Sequence, residues 1–318
     1  MGPPWRLCSG WPAIGGGCDV PNSLRRYNSH MGLLYLGCPM WGLKTWVGNF
    51  FPPKTKPKDF LALYSRRLSA VEGNTTFYAL PEAATVARWR DETPPGFKFC
   101  LKFPQVISHR KRLRQCEAET AEFLNRLEIL GDHCGPAFLQ LPPTFSGQHL
   151  PSLAAYLAQL PKHFQFVVEP RHADFFGGEA ERRLDDLLRQ QGCARGLFDT
   201  TALFNLPPGF SEAVSVAQGK KPKFPKRETR TAPFAFVRFV GQPEVEANTP
   251  WLEVWAARVA EWLAAGEEVF FFLHNPDDTH SPGMARLLHQ LVNQRLALPP
   301  LPNWEMAEAS QPKQASLF

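Results

Sequence analysis

From Met31 onward the chain alternates between short apolar runs and longer segments with helical periodicity. The short runs are rich in Phe, Val and Leu at consecutive positions, which is typical of strands that are buried on both faces. The longer segments repeat apolar residues every three or four positions, as residues 117–130 do before Gly131, and they predict amphipathic helices. Because parallel strands need such crossovers, the pattern predicts a parallel α/β fold.

Eight β-rich runs lie between residues 31 and 297, and helices are predicted after seven of them. The sixth run is followed instead by an irregular segment, residues 200–232. This arrangement predicts a closed (β/α)8 barrel of the TIM type, with parallel strands and an irregular sixth crossover. An open doubly wound sheet is the alternative. It is disfavoured because no glycine-rich phosphate-binding turn follows any strand.

The two ends of the chain do not continue this alternation. Residues 1–30 contain many turn-forming residues without periodicity, so we expect a disordered extension or a start assigned too early. Residues 298–318 are rich in proline and then polar, so we expect an exposed and flexible tail. The barrel domain is therefore predicted to span residues 31–297.

The composition narrows the class of protein. With 318 residues, 44% of them hydrophobic, the chain is long enough for one large barrel. The formal net charge of +5 is compatible with an anionic partner without requiring one. Seven cysteines without a C-x-x-C pair indicate reduced thiols of a cytoplasmic protein. No apolar run reaches the roughly 18–20 residues of a membrane span.

Polar residues stand at the carboxyl ends of most predicted strands. In a parallel barrel these ends meet at one face, where barrel enzymes build their sites. The residues concerned are Glu72, Asn74, Lys102, Gln140, Glu169, Arg171, His172, Asp199, Arg238, His274, Asn275 and Asp277. The sequence therefore predicts a polar site at this face of the barrel.

A series of motifs follows in order along the chain: GCPMWG with Trp46 and FFPP, VEGNTTFYALP with Trp89, FKFCLKFPQVISH, FLQLPPTF, VVEPRH, FVRFVG, and HNPDD with Ser281 and Pro282. Together they resemble the YecE-like family, domain of unknown function 72, over residues 33–291. The resemblance implies a barrel fold but no particular reaction. Its site-like positions, carried over to this chain, are Glu72, Asn74, Lys102, His109, Gln140, Glu169, Arg171, His172, Asp199, Arg238 and Asn275.

Carboxylates and imidazoles at the barrel rim indicate catalysis. The expected catalytic residues are Glu72, Asn74, His109, Glu169, His172 and Asp199, with the two histidines as proton-transfer groups. Four of the candidates have ligand types that suit a divalent metal able to activate water, namely Glu72, Glu169, Asp199 and His172. The alternative is a buried ion-pair network in which lysine and arginine balance the glutamates.

Cations and aromatic residues of the same face predict an anionic substrate, because arginine presents a planar fork to phosphate or carboxylate. The expected substrate-binding residues are Lys102, Gln140, Arg171, Arg238, Asn275, Tyr78 and Trp41. Lys102 is also a candidate for a Schiff-base lysine. That role is disfavoured because neighbouring Glu72 and Glu169 are expected to keep its amine protonated.

Two basic stretches and the end of the chain point to DNA. Residues 109–114 and 220–230 are candidates for contacts with the DNA backbone, although such stretches are usually solvated loops. The last five residues, QASLF, resemble the peptide by which bacterial repair and replication proteins bind the DNA sliding clamp. In that resemblance Gln314, Leu317 and Phe318 contact the clamp from a flexible tail.

The sequence leaves three functions open. The first is a DNA-repair barrel that processes a phosphodiester or a damaged nucleotide and is recruited by the sliding clamp. The second is a lyase, isomerase or hydrolase that acts on a phosphorylated or carboxylated sugar. The third is a non-catalytic adaptor that binds the clamp and DNA.

Overall fold

The computed structural model describes residues 31–302 and Trp304, and its centre is a barrel of eight parallel strands. The strands are β1 (Leu34–Cys38), β2 (Ala70–Gly73), β3 (Lys98–Leu101), β4 (Ala137–Gln140), β5 (Phe166–Glu169), β6 (Ala194–Asp199), β7 (Phe234–Val240) and β8 (Glu268–His274). Neighbouring strands follow the order β3-β2-β1-β8-β7-β6-β5-β4. The parallel α/β arrangement predicted from the hydrophobic pattern is confirmed.

Helices connect the strands and cover the outside of the barrel. They are α1 (Phe60–Ser65), α2 (Ala83–Asp91), α3 (Glu117–Leu130), α4 (Leu150–Leu157), α5 (Gly178–Gln191), α6 (Thr201–Phe204), α7 (Glu212–Lys220), α8 (Thr249–Ala264) and α9 (Ser281–Asn293). A π-helical turn, Val106–Arg110, stands between β3 and α3. The buried faces of the helices, such as Phe123 and Leu127 of α3, pack on the outward-facing residues of the strands.

The edge strands β3 and β4 meet and close the barrel. Isolated bridges pair Phe99 with Cys134 and Lys102 with Phe138. The backbone amide of Phe103 donates to the carbonyl of Phe138 at 3.0 Å. The predicted TIM-type barrel is therefore confirmed, and its closure is made by bridges rather than by a continuous ladder.

The interior of the barrel has an aromatic lower part and a charged upper part. Alternate strand residues face inward. Near the amino-terminal ends of the strands these residues are largely aromatic, and Tyr35 and Phe270 stack with 4.5 Å between their ring centroids. Near the carboxyl ends the inward positions become polar: Glu72, Gln140, Glu169, Arg238 and His274. The predicted polar face thus closes one end of an apolar core.

The sixth crossover contains α6 and α7, which the hydrophobic pattern did not predict. Ser211 caps α7 by accepting a hydrogen bond from the amide of Val214 at 3.2 Å. Only Val214 and Ala217 of this helix are buried, so its sequence carries little helical periodicity. After α7 the chain brings Lys221 back to the mouth of the barrel, near the charged interior.

The chain beyond residue 297 begins with a packed segment, where an exposed tail was expected. Leu298 is buried, and the Trp304 ring packs on Phe50 with 5.2 Å between centroids. Arg286 lies over the same indole at 4.0 Å and donates to the Trp304 carbonyl at 2.6 Å. One tryptophan that fills a gap leaves no periodic signal in a sequence, which explains the difference. The peptide QASLF and residues 1–30 lie outside the described residues.

The cysteines of the described chain are free thiols, at positions 38, 100, 116, 134 and 193. Burial raises the pKa of the Cys38 and Cys100 thiols well above the usual value, so both stay protonated in the core. None of the described helices is both long enough and apolar enough to cross a membrane.

Candidate functional site

A ring of polar side chains fills the upper interior of the barrel, at the carboxyl ends of the strands. Its members are Glu72, Lys102, Gln140, Glu169, Arg171, Arg238 and His274, which come from β2, β3, β4, β5, β7 and β8 or from the residues directly after these strands. We call these seven residues the charged ring. All except Gln140 are at most 9% exposed, so their charges interact in surroundings of low dielectric.

Arg238 lies at the centre of the charged ring and binds both glutamates. Its Nε and one terminal nitrogen donate to the two oxygens of Glu72, each at 2.7 Å. The other terminal nitrogen donates to Glu169 Oε2, also at 2.7 Å. Such a bidentate, charge-assisted arrangement is the strongest pairing available to an arginine. It fixes the two carboxylates relative to one another.

The pKa values of the two glutamates are low despite their burial. Burial by itself would raise the pKa of Glu72, but the charges of Arg238 and His274 hold it well below its usual range. Burial opposes the ionisation of Glu169 in the same way, yet Arg171 and Arg238 lower its pKa to about 2. Both carboxylates are therefore ionised and paired at neutral pH.

Arg171 and Gln140 connect this pair to Lys102. The Nε atom of Arg171 donates to Glu169 Oε1 at 2.6 Å. The amide oxygen of Gln140 accepts hydrogen bonds from Arg171 at 3.2 Å and from Lys102 Nζ at 2.9 Å. A neutral amide therefore separates the lysine from the nearest carboxylate, and Lys102 receives no direct ion pair from it.

Two lysines at the mouth have no carboxylate partner among the residues that the structure describes. The amine of Lys102 donates to Gln140, and Lys221 stands on the segment that follows α7. Burial, reinforced by the charge of Arg238, lowers the pKa of Lys102 to about 7. The same two causes lower the pKa of Lys221 to about 8. Both amines are therefore partly deprotonated near neutral pH.

Two histidines at the mouth are mostly neutral at pH 7. Burial and the charges of Lys102 and Arg171 lower the pKa of His109 to about 4. Burial also lowers the pKa of His274, although Glu72 opposes the shift. The Nε2 atom of His274 lies 3.2 Å from Glu72 Oε2. A neutral imidazole can accept a proton, so His109, outside the glutamate pair, is a candidate general base.

Aromatic rings form the walls beside these cations. Lys102 Nζ lies over the Phe77 ring at 4.2 Å, and the Arg171 guanidinium lies over the Phe198 ring at 3.8 Å. The His109 ring meets Phe77 edge to face, with 5.0 Å between centroids. The negative faces of aromatic rings attract cations and exclude water, so Phe77 orders both Lys102 and His109 at the mouth.

The structure brings most of the predicted site residues together. All seven members of the charged ring were predicted at this face: Glu72, Lys102, Gln140, Glu169, Arg171, Arg238 and His274. Asn74 stands beside them, because its amide donates to Glu72 Oε1 at 2.5 Å and to the Pro39 carbonyl at 3.2 Å. His109 reaches the mouth from the π-helical turn.

Asp199 faces away from the charged ring. It follows Phe198, which faces inward, so its side chain lies on the outer side of β6. The carboxylate accepts hydrogen bonds from the Trp255 indole in α8 and from the Thr201 hydroxyl, both at 2.7 Å. The expectation that Asp199 shares a catalytic or metal site with the ring glutamates is therefore wrong, because it instead joins β6 to α8.

His172 and Asn275 organise loops outside the charged ring. His172 Nδ1 accepts from the amide of Asp174 at 3.2 Å and caps the short helical turn after β5. Asn275 Oδ1 accepts from the amide of His280 at 3.3 Å and from the Ser281 hydroxyl at 3.2 Å. These contacts show how both residues order the loops beside the ring, and their expected catalytic, metal-binding or substrate-binding roles stay predictions.

The two predicted aromatic substrate contacts differ in position. Trp41 meets Trp89 edge to face with 5.0 Å between centroids, and it also contacts Phe99 of the outer core. Tyr78 is 76% exposed and touches only the edge of Phe77 among the described aromatic rings. Trp41 therefore serves packing, whereas Tyr78 remains accessible at the rim.

The metal site expected from four of the candidates is not assembled. Glu72 and Glu169 are engaged by Arg238, while Asp199 and His172 make structural contacts elsewhere. Within the described chain no group of three or more His, Cys, Asp or Glu side chains is placed to hold a metal ion. The geometry fits the alternative interpretation, a buried ion-pair network, with two additional lysines.

Three of the six cations of the stretch 220–230 are bound by neighbouring carboxylates, and one of these pairs joins Arg230 to Glu267. Arg227 binds Glu181 at 2.7 Å, and Lys226 binds Glu228 at 2.6 Å. These pairs attach the stretch to the barrel and reduce the positive charge that it presents to solvent. Lys220, Lys221 and Lys223 form no such pair among the described residues, so a contact of this stretch with the DNA backbone stays a prediction.

The other basic stretch, residues 109–114, lines a small surface pocket. Lys111, Arg112 and Arg114 surround a cavity of about 270 Å³ together with His149. Arg112 also donates to the carbonyl of Thr144 at 2.9 Å, so its guanidinium is partly engaged. Lys111 is paired with Glu119 at 2.6 Å, so the pocket keeps the positive charge of Arg112 and Arg114.

Sequence reasoning missed Lys221 and Asp278. Lys221 belongs to a run of like charges, a pattern that usually marks a solvated loop. Asp278 follows Asp277 in a turn, and its φ of 61° turns its carboxylate towards the interior, 3.9 Å from His274 Nδ1. Burial raises the pKa of Asp278. The HNPDD motif predicts a turn, but only the backbone conformation decides which aspartate faces inward.

Comparisons with known proteins agree with the fold. Residues 35–306 match the model of a family described as "Protein of unknown function DUF72". UPF0759 protein YecE of Escherichia coli strain K12 is 37% identical over 287 residues, which cover 90% of this chain and 100% of the relative. UPF0759 protein YunF of Bacillus subtilis strain 168 is 32% identical over 80 residues, or 25% of this chain and 27% of that protein.

Two solved structures share the barrel. A DUF72 family protein from Enterococcus faecalis V583 has a TM-score of 0.61 at 17% identity. The similarity covers 86% of this chain and 99% of that protein. A DUF72 family protein from Thermotoga maritima MSB8 has a TM-score of 0.60 at 22% identity. The similarity covers 83% of this chain and 99% of that protein. At these identities the similarity establishes the fold alone.

Proposed function

Because this chain belongs to the DUF72 family, whose description carries no reaction, we propose a function from the charged ring itself. The barrel binds a phosphorylated or carboxylated sugar at its mouth and acts on it as a lyase, isomerase or hydrolase. The mouth lies at the carboxyl ends of the strands, which is where barrels of this type carry their active sites.

The state of the two lysines carries this proposal. Lys102 and Lys221 lack a carboxylate partner within the described chain, whereas Arg238 and Arg171 engage the carboxylates of the ring. An anion that enters the mouth can therefore pair with two amines on which the carboxylates Glu72, Glu169 and Asp278 act only at a distance. Because burial has lowered their pKa values to about 7 and 8, anion binding raises both values and takes up protons.

Each group around the mouth has a distinct task in this function. Lys221 and Lys102 bind the phosphate or carboxylate, and Gln140 keeps Lys102 in position through the 2.9 Å hydrogen bond. His109, whose pKa of about 4 leaves it neutral, accepts a proton from a hydroxyl or an acidic C–H group of the bound sugar. Phe77 orders the lysine and the histidine against one wall.

Isothermal titration calorimetry with inorganic phosphate, ribose 5-phosphate and gluconate tests this function. We expect at least one of the three to bind, and to bind about tenfold more tightly at pH 6 than at pH 9, because both lysines are protonated at pH 6. Lys102→Gln and Lys221→Gln should each weaken binding by about tenfold. The matched control is Lys162→Gln, an exposed lysine that bonds to Gln191 away from the mouth.

Two results would contradict the proposed function. One is the absence of binding by all three anions at millimolar concentration and pH 6. The other is binding that is equally strong in the wild type, Lys102→Gln and Lys221→Gln, which would place the anion elsewhere on the surface. The pocket formed by Lys111, Arg112 and Arg114 would then be the next site to examine.

Recruitment to DNA by a sliding clamp stays a prediction from the sequence. Gln314, Leu317 and Phe318 lie outside the described residues, and the basic pocket of residues 109–114 is the observation that keeps a nucleic-acid contact open. Clamp binding should be measured for the full chain and for a chain that ends at Pro312. Micromolar binding that disappears with the tail would support recruitment, and no binding by either form would contradict it.

A further inference from the structure

Lys102 is held in a fixed position on a rigid part of the fold. Its backbone amide donates to the Gly73 carbonyl at 3.2 Å, and its carbonyl accepts from the Thr76 hydroxyl at 2.6 Å. The side chain is directed by the hydrogen bond to Gln140 and by the Phe77 ring. At 7% exposure the residue is shielded from bulk water but still reaches the surface of the mouth.

The surroundings of Lys102 do not hold its amine in the charged form. The glutamates that were expected to keep it protonated are occupied by Arg238 and Arg171 at distances of 2.6 to 2.7 Å. Four charged groups face the amine: Glu72 of β2, Glu169 of β5, Arg171 just after β5, and Arg238 of β7. His109, which is neutral, approaches from the π-helical turn. Burial and the guanidinium of Arg238 together favour the neutral amine, which is the nucleophilic form.

We propose that Lys102 forms a covalent imine with the carbonyl carbon of an aldehyde or ketone that also carries a phosphate or a carboxylate. This inference rests on the proposed function: with a carbonyl substrate, Lys221 holds the anionic group, and Lys102 at the same mouth attacks the carbonyl instead of binding the anion. The substrate class is therefore a carbonyl compound with an anionic group, such as a sugar phosphate in its open-chain form or a 2-oxo acid.

The step balances without any further reactant. The neutral amine attacks the carbonyl carbon, the C–N bond forms, and a proton passes from nitrogen to oxygen to give a carbinolamine. Protonation of the hydroxyl group then releases water and leaves a protonated imine. Counted from the ammonium form of Lys102, the reaction converts one ammonium and one carbonyl into one iminium and one water, so the net charge of the mouth is unchanged.

The charged ring also acts on the product. The iminium stands where the ammonium stood, and Glu169 and Glu72 offset part of the cost that burial and Arg238 impose on its positive charge. An iminium makes the neighbouring C–H group acidic, and His109 is the neutral base at the same wall. The imine thereby supplies a route to the lyase or isomerase chemistry proposed above.

Reductive trapping tests the imine. The full chain is incubated with glyoxylate or with glycolaldehyde phosphate in the presence of sodium cyanoborohydride, and modified lysines are mapped by peptide mass spectrometry. We expect Lys102 to be modified about tenfold faster than the exposed Lys162 at pH 7, because a larger fraction of its amine is neutral. The rate for Lys102 should level off above pH 7 to 8, whereas the rate for Lys162 should keep rising towards pH 10.

Variants and a competitor sharpen this test. Lys102→Arg should abolish the fast modification, and Lys162→Arg should leave it unchanged. Excess inorganic phosphate should slow the modification of Lys102 by glycolaldehyde phosphate, without affecting Lys162. Because the mapping is made on the wild-type protein, the result does not depend on how well a variant folds.

The two proposals fail in distinguishable ways. Equal modification rates for Lys102 and Lys162, in a protein that binds anions by calorimetry, would overturn the imine and leave the anion-binding function standing. Equal rates in a protein that binds none of the three anions would overturn both. Fast modification of Lys102 that phosphate slows would support both.

Discussion

The charged ring and Lys221 together form two halves that differ in how they use positive charge. In one half Arg238 spans Glu72 and Glu169 with three hydrogen bonds of 2.7 Å. In the other half Lys102 and Lys221 stand at the mouth without a carboxylate partner in the described chain, and their pKa values fall to about 7 and 8. The first half is a closed structural unit, and the second is where we propose that an anion binds.

The difference follows from the chemistry of the two cation types. A guanidinium stays protonated even when buried, so the interior must supply carboxylates for it. An ammonium group can instead lose its proton when burial makes its charge unfavourable. Arginine therefore suits the core of the ring, and lysine suits the place where charge must appear when a ligand arrives. The charges that already have an ion-pair partner therefore mark the structural part of the mouth.

Breaking the closed half should produce the largest effect. In Arg238→Met, both glutamates are left buried without their central partner, so the free energy of unfolding should fall by about 3–5 kcal/mol. Urea denaturation at pH 7 measures this loss. The matched control is Arg258→Met, whose partners Glu228 and Glu261 lie on the surface, and which should cost at most about 1 kcal/mol. Equal losses in the two variants would show that the ring pairing is not structural.

Acid should weaken the same half through its carboxylates. The pKa of Glu169 is about 2 in the folded state, below the value of about 4.3 for an unfolded chain, so its contribution is present above pH 4.3 and is lost as pH falls towards 2. We expect unfolding free energies measured between pH 6 and pH 2 to fall by about 3 kcal/mol on this account. The variant Glu169→Gln should show a smaller fall over the same interval. Identical slopes in both proteins would contradict the pairing.

A residue outside the ring should affect stability without affecting the site. Asp199→Ala removes the acceptor for the buried Trp255 indole, so the free energy of unfolding should decrease by about 2 kcal/mol. Affinity for the anion identified by calorimetry should stay unchanged, because Asp199 faces away from the mouth. Asp199→Asn, which keeps an acceptor oxygen, is the control and should lose less. A loss of affinity for the anion in either variant would show that Asp199 contributes to the site.

The open half should show the smallest effect, and in the opposite direction. Burying a charged lysine opposes folding, but Lys102→Met also removes the hydrogen bond to Gln140 and the contact with the Phe77 ring, which offset most of that gain. The variant should therefore be more stable than the wild type by about 1 kcal/mol at pH 6. The pKa of Lys102 in the folded state, about 7, lies below the usual lysine pKa of 10.5. Between these two pKa values the unfolded state binds more protons than the folded state. The stability of the wild type should therefore rise with pH until both states bind equally few protons, near pH 10. A variant that is less stable at every pH would identify Lys102 as a structural residue.

Much of the barrel could be predicted from the chain, because consecutive apolar strands and amphipathic helices follow from local periodicity. The carboxyl-end rule also identified Glu72, Lys102, Glu169 and Arg238 as neighbours before their contacts were visible. Asp199 shows the limit of that rule. It stands at a strand end like the others, but it follows an inward-facing residue directly. Because neighbouring strand residues point to opposite faces, its side chain lies on the outer face of the barrel.

The identity of the strands, their parallel arrangement and the chemical types at the mouth were determined by the sequence, since each depends on periodicity and order along the chain. Only the tertiary structure decided which charges pair. Arg238 takes both glutamates from strands on opposite sides of the barrel, and the sixth crossover carries Lys221 back to the mouth from a stretch that resembles a solvated loop. Pairing depends on distances and burial between segments remote in sequence, and these arise when the barrel closes.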